Sequence, residues 1–277
     1  MEEVWLTVEG TRVHGRAWST KRARAGVVLL HGFNASVDEF GGLGETLAKA
    51  GFLTLAIDQR GHGASDGERG RFSLDRAMQD VEAAVVWLRK DLGRHAPLVL
   101  VGHSLGGAMA LGIAARTRWF DALVVAHPLE RLMDELNPVM RGVFHAAGRI
   151  GRWRMHRGKP AGTVPRPTRW RQLYVDPEAA RQGRRDAYLQ QRANLASYTF
   201  ADTMNASEWA RQVRVPVLAI QSAADRTVDP AHTETVLRAI PGTVERITHR
   251  GGHACFRDLD RDLVAEGIIR FLRQVAP

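Results

Sequence analysis

A serine framed by glycines is the residue of this chain best suited to chemistry. The motif GHSLG at residues 102–106 lies between an apolar run at 98–101 and a second apolar run at 107–114. A strand, a G-x-S-x-G turn and a helix in this order are typical of a nucleophile elbow, which holds a hydroxyl at the mouth of a sheet. The flanking positions are glycine because so sharp a turn leaves no space for side chains. We therefore predict that Ser104 is a catalytic nucleophile.

A serine hydroxyl is a weak nucleophile, so it needs a base within hydrogen-bond reach and a carboxylate that orients the base. In doubly wound hydrolases these groups follow along the chain in the order serine, acid, histidine. Asp225 comes after a predicted strand at 215–220, and His253 comes after the last predicted strand at 244–247. We predict that Ser104, Asp225 and His253 form a catalytic triad.

Neighbouring residues are weaker candidates for the acid and the base. Asp229 precedes Pro230, which is the arrangement of a helix N-cap followed by proline at the first helical position. His249 is assigned to the end of a strand and His232 to a helix. For these reasons the earlier aspartate and the later histidine are preferred.

A second glycine signal lies upstream, where His31-Gly32-Phe33 follows the first buried strand. The small Gly32 lets backbone N–H groups turn inward, and we predict that the N–H groups of Phe33 and Leu105 form an oxyanion hole. Leu105 also lies at a predicted helix N-terminus, whose partial positive charge favours an anion. His127, at the end of another predicted strand, is a candidate substrate contact.

Alternating strands and helices must position these groups. The first twenty residues predict a β-hairpin, and apolar runs predict strands at 25–30, 52–57, 98–101, 122–126, 215–220 and 244–247. Helical spacing is found between them at 40–50, 74–89, 106–116, 230–239 and 258–275. This alternation predicts an α/β fold, with a mostly parallel central sheet covered by helices on both faces. Chemistry collects at the carboxyl ends of such strands, where all three triad candidates lie.

Residues 127–213 break this alternation. The spacing predicts a helix at 138–153, a loop rich in proline and arginine at 159–169, and a second helix near 176–193. Because this segment is inserted between two core strands on the side of the site, we expect it to form a helical cap, or lid. The expected domains are an α/β core of residues 1–126 and 214–277 and a helical cap of residues 127–213.

The composition of the 277 residues is that of a globular protein, with 44% hydrophobic and 25% charged residues. The single cysteine, Cys255, excludes an internal disulfide framework, and the acidic start of the sequence lacks the features of a signal peptide. A cytoplasmic location is therefore expected. Spacings typical of metal or cofactor sites are absent, so the sequence predicts no metal and no cofactor.

The formal net charge of +9 is concentrated in the expected cap, where residues 127–213 hold 15 basic and 8 acidic side chains. No basic box interleaved with aromatic residues accompanies this charge, so a nucleic-acid partner is not expected. A weak contact between the basic cap and an anionic membrane surface is a separate hypothesis.

At these motifs the sequence resembles the α/β-hydrolase family. Within it, the chain resembles the group of monoacylglycerol lipases and lysophospholipase-like proteins, also called serine aminopeptidase-type hydrolases. The resemblance is carried by HGF at 31–33, DQRGHGASDGERG at 58–70, GHSLGG at 102–107, Asp225 and GH at 252–253. It covers residues 25–125 and 213–275 and hardly extends to the cap. It implies the α/β-hydrolase fold with a helical cap and a lipase-like activity on esters.

The predicted reaction is hydrolysis of a small or lipid-like carboxylic ester through an acyl-enzyme. A thioesterase, an amidase or a C–C-bond hydrolase would use the same triad, so these alternatives stay open. Dehalogenases and epoxide hydrolases carry an aspartate at the elbow, and Ser104 argues against both. The alternative outside catalysis is a ligand-binding protein on the same fold, and the presence of all three triad residues argues against it.

Overall fold

The computed structural model describes residues 1–165, 169–186, 189 and 192–277. Its strands, in chain order, are β1 (Glu2–Val8), β2 (Thr11–Trp18), β3 (Ala25–Leu30), β4 (Phe52–Ile57), β5 (Leu98–His103), β6 (Ala122–Ala126), β7 (Thr163–Pro165), β8 (Arg192–Asn194), β9 (Val217–Gln221) and β10 (Val244–Thr248). The predicted hairpin is present as β1 and β2. Each core strand predicted from an apolar run is also present, with ends that differ by at most two residues.

The helices, in the same order, are α1 (Leu43–Lys49), α2 (Leu74–Leu92), α3 (Leu105–Arg116), α4 (Pro138–His156), α5 (Trp170–Leu173), α6 (Pro177–Asp186), α7 (Ser197–Thr203), α8 (Ala206–Ala210), α9 (Pro230–Arg238) and α10 (Arg261–Val275). A short 3₁₀ helix, Val37–Phe40, precedes α1. The predicted helix at 40–50 begins late because Gly41, with φ 52°, separates the two elements. Within the described residues, none of these helices combines the length and the apolar character needed to cross a membrane.

One sheet contains eight of these strands in the order β1-β2-β4-β3-β5-β6-β9-β10. β2 pairs with β1 and β4 in antiparallel fashion, and the other neighbours are parallel. The chain runs outward from β3 to β4 and then crosses back over β3 to β5, so the direction in which the sheet grows reverses between β3 and β5. Ligands of open α/β sheets bind at such a switch point, outside the carboxyl ends of the strands.

Side chains of the parallel strands alternate between two hydrophobic layers. Leu98 and Leu100 of β5 belong to the layer that includes residues of α2 and α3, whereas Val99 and Val101 belong to the layer that includes residues of α1 and α10. Strands covered by helices on both faces must be apolar on both faces, which explains their continuous apolar runs. The predicted α/β-hydrolase fold, with a mostly parallel sheet between helices, is confirmed.

The segment between β6 and β9 contains α4 to α8 and a separate antiparallel pair, β7 and β8. Helix α7 packs against α4, where the rings of Phe144 and Tyr198 stack with their centroids 4.2 Å apart. Both residues belong to the same hydrophobic cluster as Leu105 at the start of α3. The segment therefore shares its core with one face of the sheet. The division into a core of 1–126 and 214–277 and a cap of 127–213 stays a prediction.

The second cap helix is shorter than the sequence predicts. The spacing favours a helix near 176–193, but α6 ends at Asp186 and β8 occupies Arg192–Asn194, where it pairs with β7 inside the predicted loop. Residues 166–168, 187–188 and 190–191 of these two predictions lie outside the described residues. Pairing between distant segments leaves no trace in the periodicity of either one, so the two short strands could not be predicted.

Candidate active site

Ser104 lies on a strained turn between β5 and α3. Its backbone angles are φ 55° and ψ −119°, a region that residues other than glycine rarely occupy. A Cβ on Gly102 would lie 2.3 Å from the carbonyl oxygen of Gly106, and a Cβ on Gly106 would lie 2.2 Å from that of Leu30. The close approach of backbone segments therefore requires both glycines, as expected for an elbow.

The loop after β3 lies beside this serine because β3 and β5 are parallel neighbours in the sheet. A Cβ on Gly32 would lie 3.1 Å from the Cβ of Ser104, so the loop leading to Phe33 passes close to the serine. Leu105 is the first residue of α3. Its N–H is one of the four at a helix N-terminus that have no carbonyl partner within the helix. The loop that carries Phe33 and the start of α3 thus meet at the predicted nucleophile.

Asp225 and His253 form a buried hydrogen-bonded pair, in which Nδ1 of His253 lies 2.7 Å from Oδ2 of Asp225. The other oxygen, Oδ1, accepts the N–H groups of Thr227 at 2.8 Å and Val228 at 3.0 Å. Burial alone would raise the pKa of Asp225, but the charge of His253 and the hydrogen bonds that the carboxylate accepts lower the pKa and keep the group ionised. Within the described part of the chain, no hydrogen bond joins the hydroxyl of Ser104 to His253.

Two of the three weaker candidates, Asp229 and His232, have structural partners outside the site. Asp229 is the N-cap of α9, and its side chain accepts the N–H of Ala231 at 2.8 Å. Nδ1 of His232 lies 2.8 Å from Oε1 of Glu135. Asp229 therefore stabilises a helix start, and His232 links α9 to the segment between β6 and β9.

His127 lies behind Asp225 instead of on a surface. The residue is 1% exposed, and its Nδ1 is 2.7 Å from Oδ2 of Asp225. Its Nε2 is 2.9 Å from Nε2 of His249, which follows β10. Since both ring nitrogens of His127 face protein groups, the structure does not favour the substrate contact predicted for it. No role was predicted for His249, although its position at the end of the strand beside β9 is a signal that could have indicated one.

Glu39 is a second buried carboxylate at the site, and no sequence pattern singled it out. Its Oε2 accepts the N–H of Gly32 at 2.7 Å, and its Oε1 lies 3.0 Å from Nδ1 of His103. Burial alone would raise the pKa of Glu39, but the charge of His103 lowers it. Burial would likewise lower the pKa of His103, and Glu39 raises it. This pair connects the loop after β3 to the elbow.

The loop of His253 is fixed to both the elbow and the cap. Nε2 of His103 lies 2.8 Å from the carbonyl oxygen of His253, and the N–H of Gly252 donates to Oδ2 of Asp258 at 2.6 Å. Asp258 also accepts the N–H groups of residues 175 and 176 at 2.7 and 2.9 Å. The side chain of Asp258 thus binds the backbone of the His253 loop and of the cap. Asp258 lies before α10, which begins at Arg261, although the sequence predicts a helix that begins at residue 258.

His127, His249 and Cys255 offer possible metal-ligand atoms within 4.8 Å of one another. Two imidazole nitrogens bound to one zinc ion are about 3.3 Å apart, given tetrahedral Zn–N bonds of about 2.0–2.1 Å. The two Nε2 atoms are 2.9 Å apart, which is a hydrogen-bond distance. Burial raises the pKa of Cys255, so its thiol stays protonated. These residues are therefore arranged as a hydrogen-bonded histidine pair beside a neutral thiol.

A cleft of about 490 Å³ lies between the cap and the loop of Asp225. Arg226, the neighbour of Asp225, lines it on one side, and Arg171 and Arg184 line it from the cap. The cleft beside the loop of Asp225 is therefore basic.

Comparison with protein families gives one match that spans nearly the whole chain. The family described as serine aminopeptidase, S33, matches residues 21–260, a range that contains all three triad candidates.

Curated relatives include lipases of monoacylglycerols. A monoacylglycerol lipase of Mycolicibacterium smegmatis is 28% identical over 152 residues, which is 54% of each chain. A monoglyceride lipase of Mus musculus is 31% identical over 127 residues, covering 45% of this chain and 42% of that one. The chain thus spans about half the length of these curated relatives.

Solved structures match over the full length. The monoacylglycerol lipase of Paleococcus ferrophilus superposes with a TM-score of 0.78 at 23% identity, covering 99% of this chain and 100% of that one. A carboxyl esterase from Bacillus coagulans superposes with a TM-score of 0.78 at 21% identity, covering 100% and 99%. At these identities the superpositions establish a shared fold.

Proposed function

Because this chain belongs to the serine aminopeptidase, S33, family of α/β hydrolases, we propose that it is a serine hydrolase that cleaves carboxylic esters. The observation that carries the proposal is the combination of a strained Ser104 at the switch point of the sheet with a buried, oriented Asp225–His253 pair. The named relatives favour a small or lipid-like ester as substrate. The cytoplasmic location expected from the single cysteine stays part of the proposal.

The proposed reaction proceeds through an acyl-enzyme. With Nδ1–H of His253 donated to Asp225, the lone pair on Nε2 accepts the proton of the Ser104 hydroxyl as the oxygen attacks the ester carbonyl. His253 then gives this proton to the leaving alcohol. Water attacks the acyl-serine by the same steps in reverse, which releases the carboxylic acid and restores the serine. The chain's own side chains supply every proton transfer.

The N–H groups of Phe33 and Leu105 are the proposed donors to the tetrahedral oxyanion. Leu105 adds the partial positive charge of the N-terminus of α3. Glu39 supports this arrangement, because its bond to the N–H of Gly32 fixes the backbone just before Phe33. Removal of one such donor typically costs about 2.7–4 kcal/mol of transition-state stabilisation.

Substitution of the nucleophile tests this proposal. We expect Ser104→Ala to keep the fold and to abolish hydrolysis of a p-nitrophenyl ester, because the attacking oxygen is gone. Ser207→Ala is the matched control, since Ser207 is equally buried but lies on α8, where its hydroxyl bonds Glu130. Undiminished turnover by Ser104→Ala would overturn the proposal.

A thioesterase, amidase or C–C-bond hydrolase remains the alternative with the same triad. A panel of esters, thioesters and anilides with acyl chains of increasing length distinguishes these activities. We expect the highest kcat/KM for an oxygen ester. A preference for a thioester or an anilide would instead identify a thioesterase or an amidase that uses the same triad.

We further propose that the cap, residues 127–213, contacts an anionic membrane surface through α4. Its exposed face carries an apolar stripe, with Val143 52%, Ile150 53% and Trp153 54% exposed. Arg149 and Arg154 are neighbours of this stripe, because residues four positions apart lie side by side on a helix. An exposed apolar stripe flanked by arginines complements the apolar interior and the negative headgroups of such a membrane.

Co-sedimentation with phosphatidylserine-containing vesicles tests this contact. We expect Ile150→Glu to weaken binding, since it places a charge in the apolar stripe. Val86→Glu is the matched control, because Val86 is 57% exposed on α2, away from the cap. Binding that is absent, insensitive to salt, or equally reduced in both variants would contradict the contact.

A further inference from the structure

Two histidines share the acid of the proposed triad. Oδ2 of Asp225 lies 2.7 Å from Nδ1 of His253 and 2.7 Å from Nδ1 of His127. The ring of His127 is joined in turn to His249, with 2.9 Å between the two Nε2 atoms. All four residues are buried. The proposed triad therefore continues through two more imidazoles on the far side of the acid.

The carboxylate of Asp225 sets the tautomers of the three connected rings, those of His253, His127 and His249. An ionised carboxylate only accepts hydrogen bonds, so His127 donates its Nδ1–H to Asp225 and carries a lone pair on Nε2. His249 must then hold its proton on Nε2 to donate to that lone pair. A positively charged His127 would carry protons on both nitrogens, and His249 would have to accept one of them with its own proton on Nδ1. That atom is buried and has no hydrogen-bond partner among the described residues, so a proton there would be an unsatisfied donor. The arrangement therefore favours a neutral His127.

The backbone at His127 supports a specific role for its ring. Its φ is 48°, in the left-handed region that costs energy for a residue other than glycine. Its N–H bonds the carbonyl oxygen of Ile220 at 2.9 Å, at the end of β9 just before the loop of Asp225. The chain thus holds a strained conformation that turns this imidazole toward the carboxylate.

We propose that His127 is a positioning residue of the catalytic site: it donates a second imidazole hydrogen bond to Asp225, in the tautomer that His249 fixes. The inference rests on the proposed function, in which Asp225 orients His253. By sharing Oδ2, His127 holds the carboxylate in place and reduces the electron density available to His253. The hydrogen bond between Asp225 and His253 is therefore weaker than it would be with an unshared carboxylate.

The groups that face these rings agree with a neutral His127. His127 is surrounded by Asp225, by His249, and by the rings of His103 and His253 at centroid distances of 6.0 and 5.4 Å, and it lies near Cys255. Burial lowers the pKa of His127 to about 4, and burial also lowers the pKa of His249.

The surroundings of His253 must be counted as well. His253 faces Asp225, His127 and the ring of His103 at a centroid distance of 4.7 Å. His103 is paired with Glu39. Because that pair stays intact in any variant of His127, a change in the pH profile reports on the shared carboxylate.

Two substitutions separate positioning from packing. His127→Phe keeps a ring of similar size but removes the donor to Asp225. We expect the acidic limb of the pH profile of kcat/KM to move up by about one pH unit, because the free energy of one net hydrogen bond corresponds to about one pKa unit. The same free energy corresponds to about a tenfold change in rate, so we expect kcat at neutral pH to fall about tenfold with KM unchanged. His127→Asn keeps an N–H at the same distance from the backbone as Nδ1 and tolerates a positive φ, so we expect it to restore the wild-type pH profile.

His232→Phe is the control, because His232 is bonded to Glu135 and lies away from the triad. We expect its pH profile to match that of the unsubstituted protein. Equal losses in His127→Phe and His127→Asn, with no movement of the acidic limb, would overturn the positioning role.

Nitrogen-15 NMR of the imidazoles in the unsubstituted protein tests the inference without turnover and without dependence on the folding of His127→Phe. We expect His127 to be neutral at pH 7 with its proton on Nδ1, and His249 to be neutral with its proton on Nε2. The opposite tautomer of His127, or a charged ring at pH 7, would overturn the inference. The tautomers can be read even if Ser104→Ala leaves turnover intact, so failure of the proposed function and failure of this inference are distinguishable.

Discussion

At the scale of single residues, Asp225 accepts hydrogen bonds from four N–H groups. Two come from the backbone of Thr227 and Val228, and two from the rings of His127 and His253. The backbone donors orient the carboxylate, and all four stabilise its charge in a site that water barely reaches. These four hydrogen bonds explain why Asp225, although buried, can stay ionised beside His253.

The amide variant of this aspartate is the first prediction at this scale. Asp225→Asn keeps the shape of the side chain but cannot accept both imidazole protons, so His253 loses the tautomer it needs. We expect kcat for ester hydrolysis to fall by about 10⁴, as for loss of the acid in other triads. Asp229→Asn is the matched control, because asparagine is an equally good N-cap and should leave kcat unchanged. A loss of kcat in Asp229→Asn alone would show that Asp229, and not Asp225, is the acid of the triad.

The buried, neutral His127 also predicts how stability changes with pH. Its pKa is lowered to about 4 by burial, while an unfolded histidine titrates near 6.5. Between pH 6.5 and 4 the unfolded chain therefore binds a proton here that the folded chain does not, and the free energy of unfolding falls as the pH is lowered. This single group contributes a slope of at most about 1.4 kcal/mol per pH unit.

Comparison with His127→Asn isolates this contribution, because the other titrating groups are common to both proteins. We expect urea unfolding at a series of pH values to give a shallower dependence in the variant between pH 6.5 and 4. His103 acts outside this window, since its pKa is raised and its contribution changes above pH 6.5. Equal slopes in the two proteins would mean that His127 is protonated in the folded state.

At the scale of elements, the turn between β5 and α3 depends on backbone contacts that no side chain can relieve. A Cβ on Gly106 would lie 2.2 Å from the carbonyl oxygen of Leu30 and 2.5 Å from that of His31. These atoms belong to the last residue of β3 and to the residue that follows it, and β3 is held between parallel neighbours on both sides. The elbow is therefore specified by the approach of two strands as well as by its own sequence.

A pair of glycine substitutions tests this reasoning. We expect Gly106→Ala to lower the free energy of unfolding by about 1–3 kcal/mol or more and to reduce esterase activity, because β3 and the elbow must move apart. Gly142→Ala, within α4, meets no atom within 4 Å and should stabilise the protein by about 0.5–1 kcal/mol. Thermal or urea unfolding measures both. A Gly106→Ala variant as stable as the original protein would contradict the contacts described.

The elements that sequence predicts best are those whose signal is local. Buried parallel strands produce unbroken apolar runs, so Ala25–Leu30, Phe52–Ile57 and Ala122–Ala126 are predicted to the residue. The pair β7 and β8 depends on contact between distant segments and was missed. The start of α10 was misplaced, because the side chain of Asp258 bonds the loop of His253 and the cap.

At the scale of the whole molecule, the charge is positive, and arginines line the cleft beside the loop of Asp225. The net charge is +9, and the arginines of the cleft are Arg226, Arg171 and Arg184. A field of one sign near a cleft raises the association rate of ligands of the opposite sign, and salt screens the effect over about 8–10 Å.

This charge predicts a substrate-dependent effect of salt. For an ester that carries a phosphate or carboxylate, we expect kcat/KM to fall as the salt concentration is raised from about 20 to about 500 mM. Over this range the screening length shortens from about 20 Å to about 4 Å. A neutral ester with the same acyl chain should show little change. Stopped-flow or steady-state assays measure both. The same salt dependence for the two substrates would exclude a steering role for the cleft.

The long-range organisation also explains which parts of the candidate site could be predicted from the sequence. Ser104, Asp225 and His253 each follow a predicted strand, so the topology of a parallel sheet brings them to one edge. The contacts of Glu39 with His103 and of His127 with Asp225 arise only when segments that belong to different strands meet. Neither residue type nor spacing marks such contacts in a single sequence.

The central claim is that Ser104 is a nucleophile activated by His253 and Asp225. Incubation with a fluorophosphonate, followed by intact-protein and peptide mass spectrometry, tests it most directly. We expect one phosphonyl group per chain, attached to Ser104, at a rate that falls sharply in Asp225→Asn. An unlabelled protein, or a label on any other residue, would show that Ser104 is not the activated nucleophile.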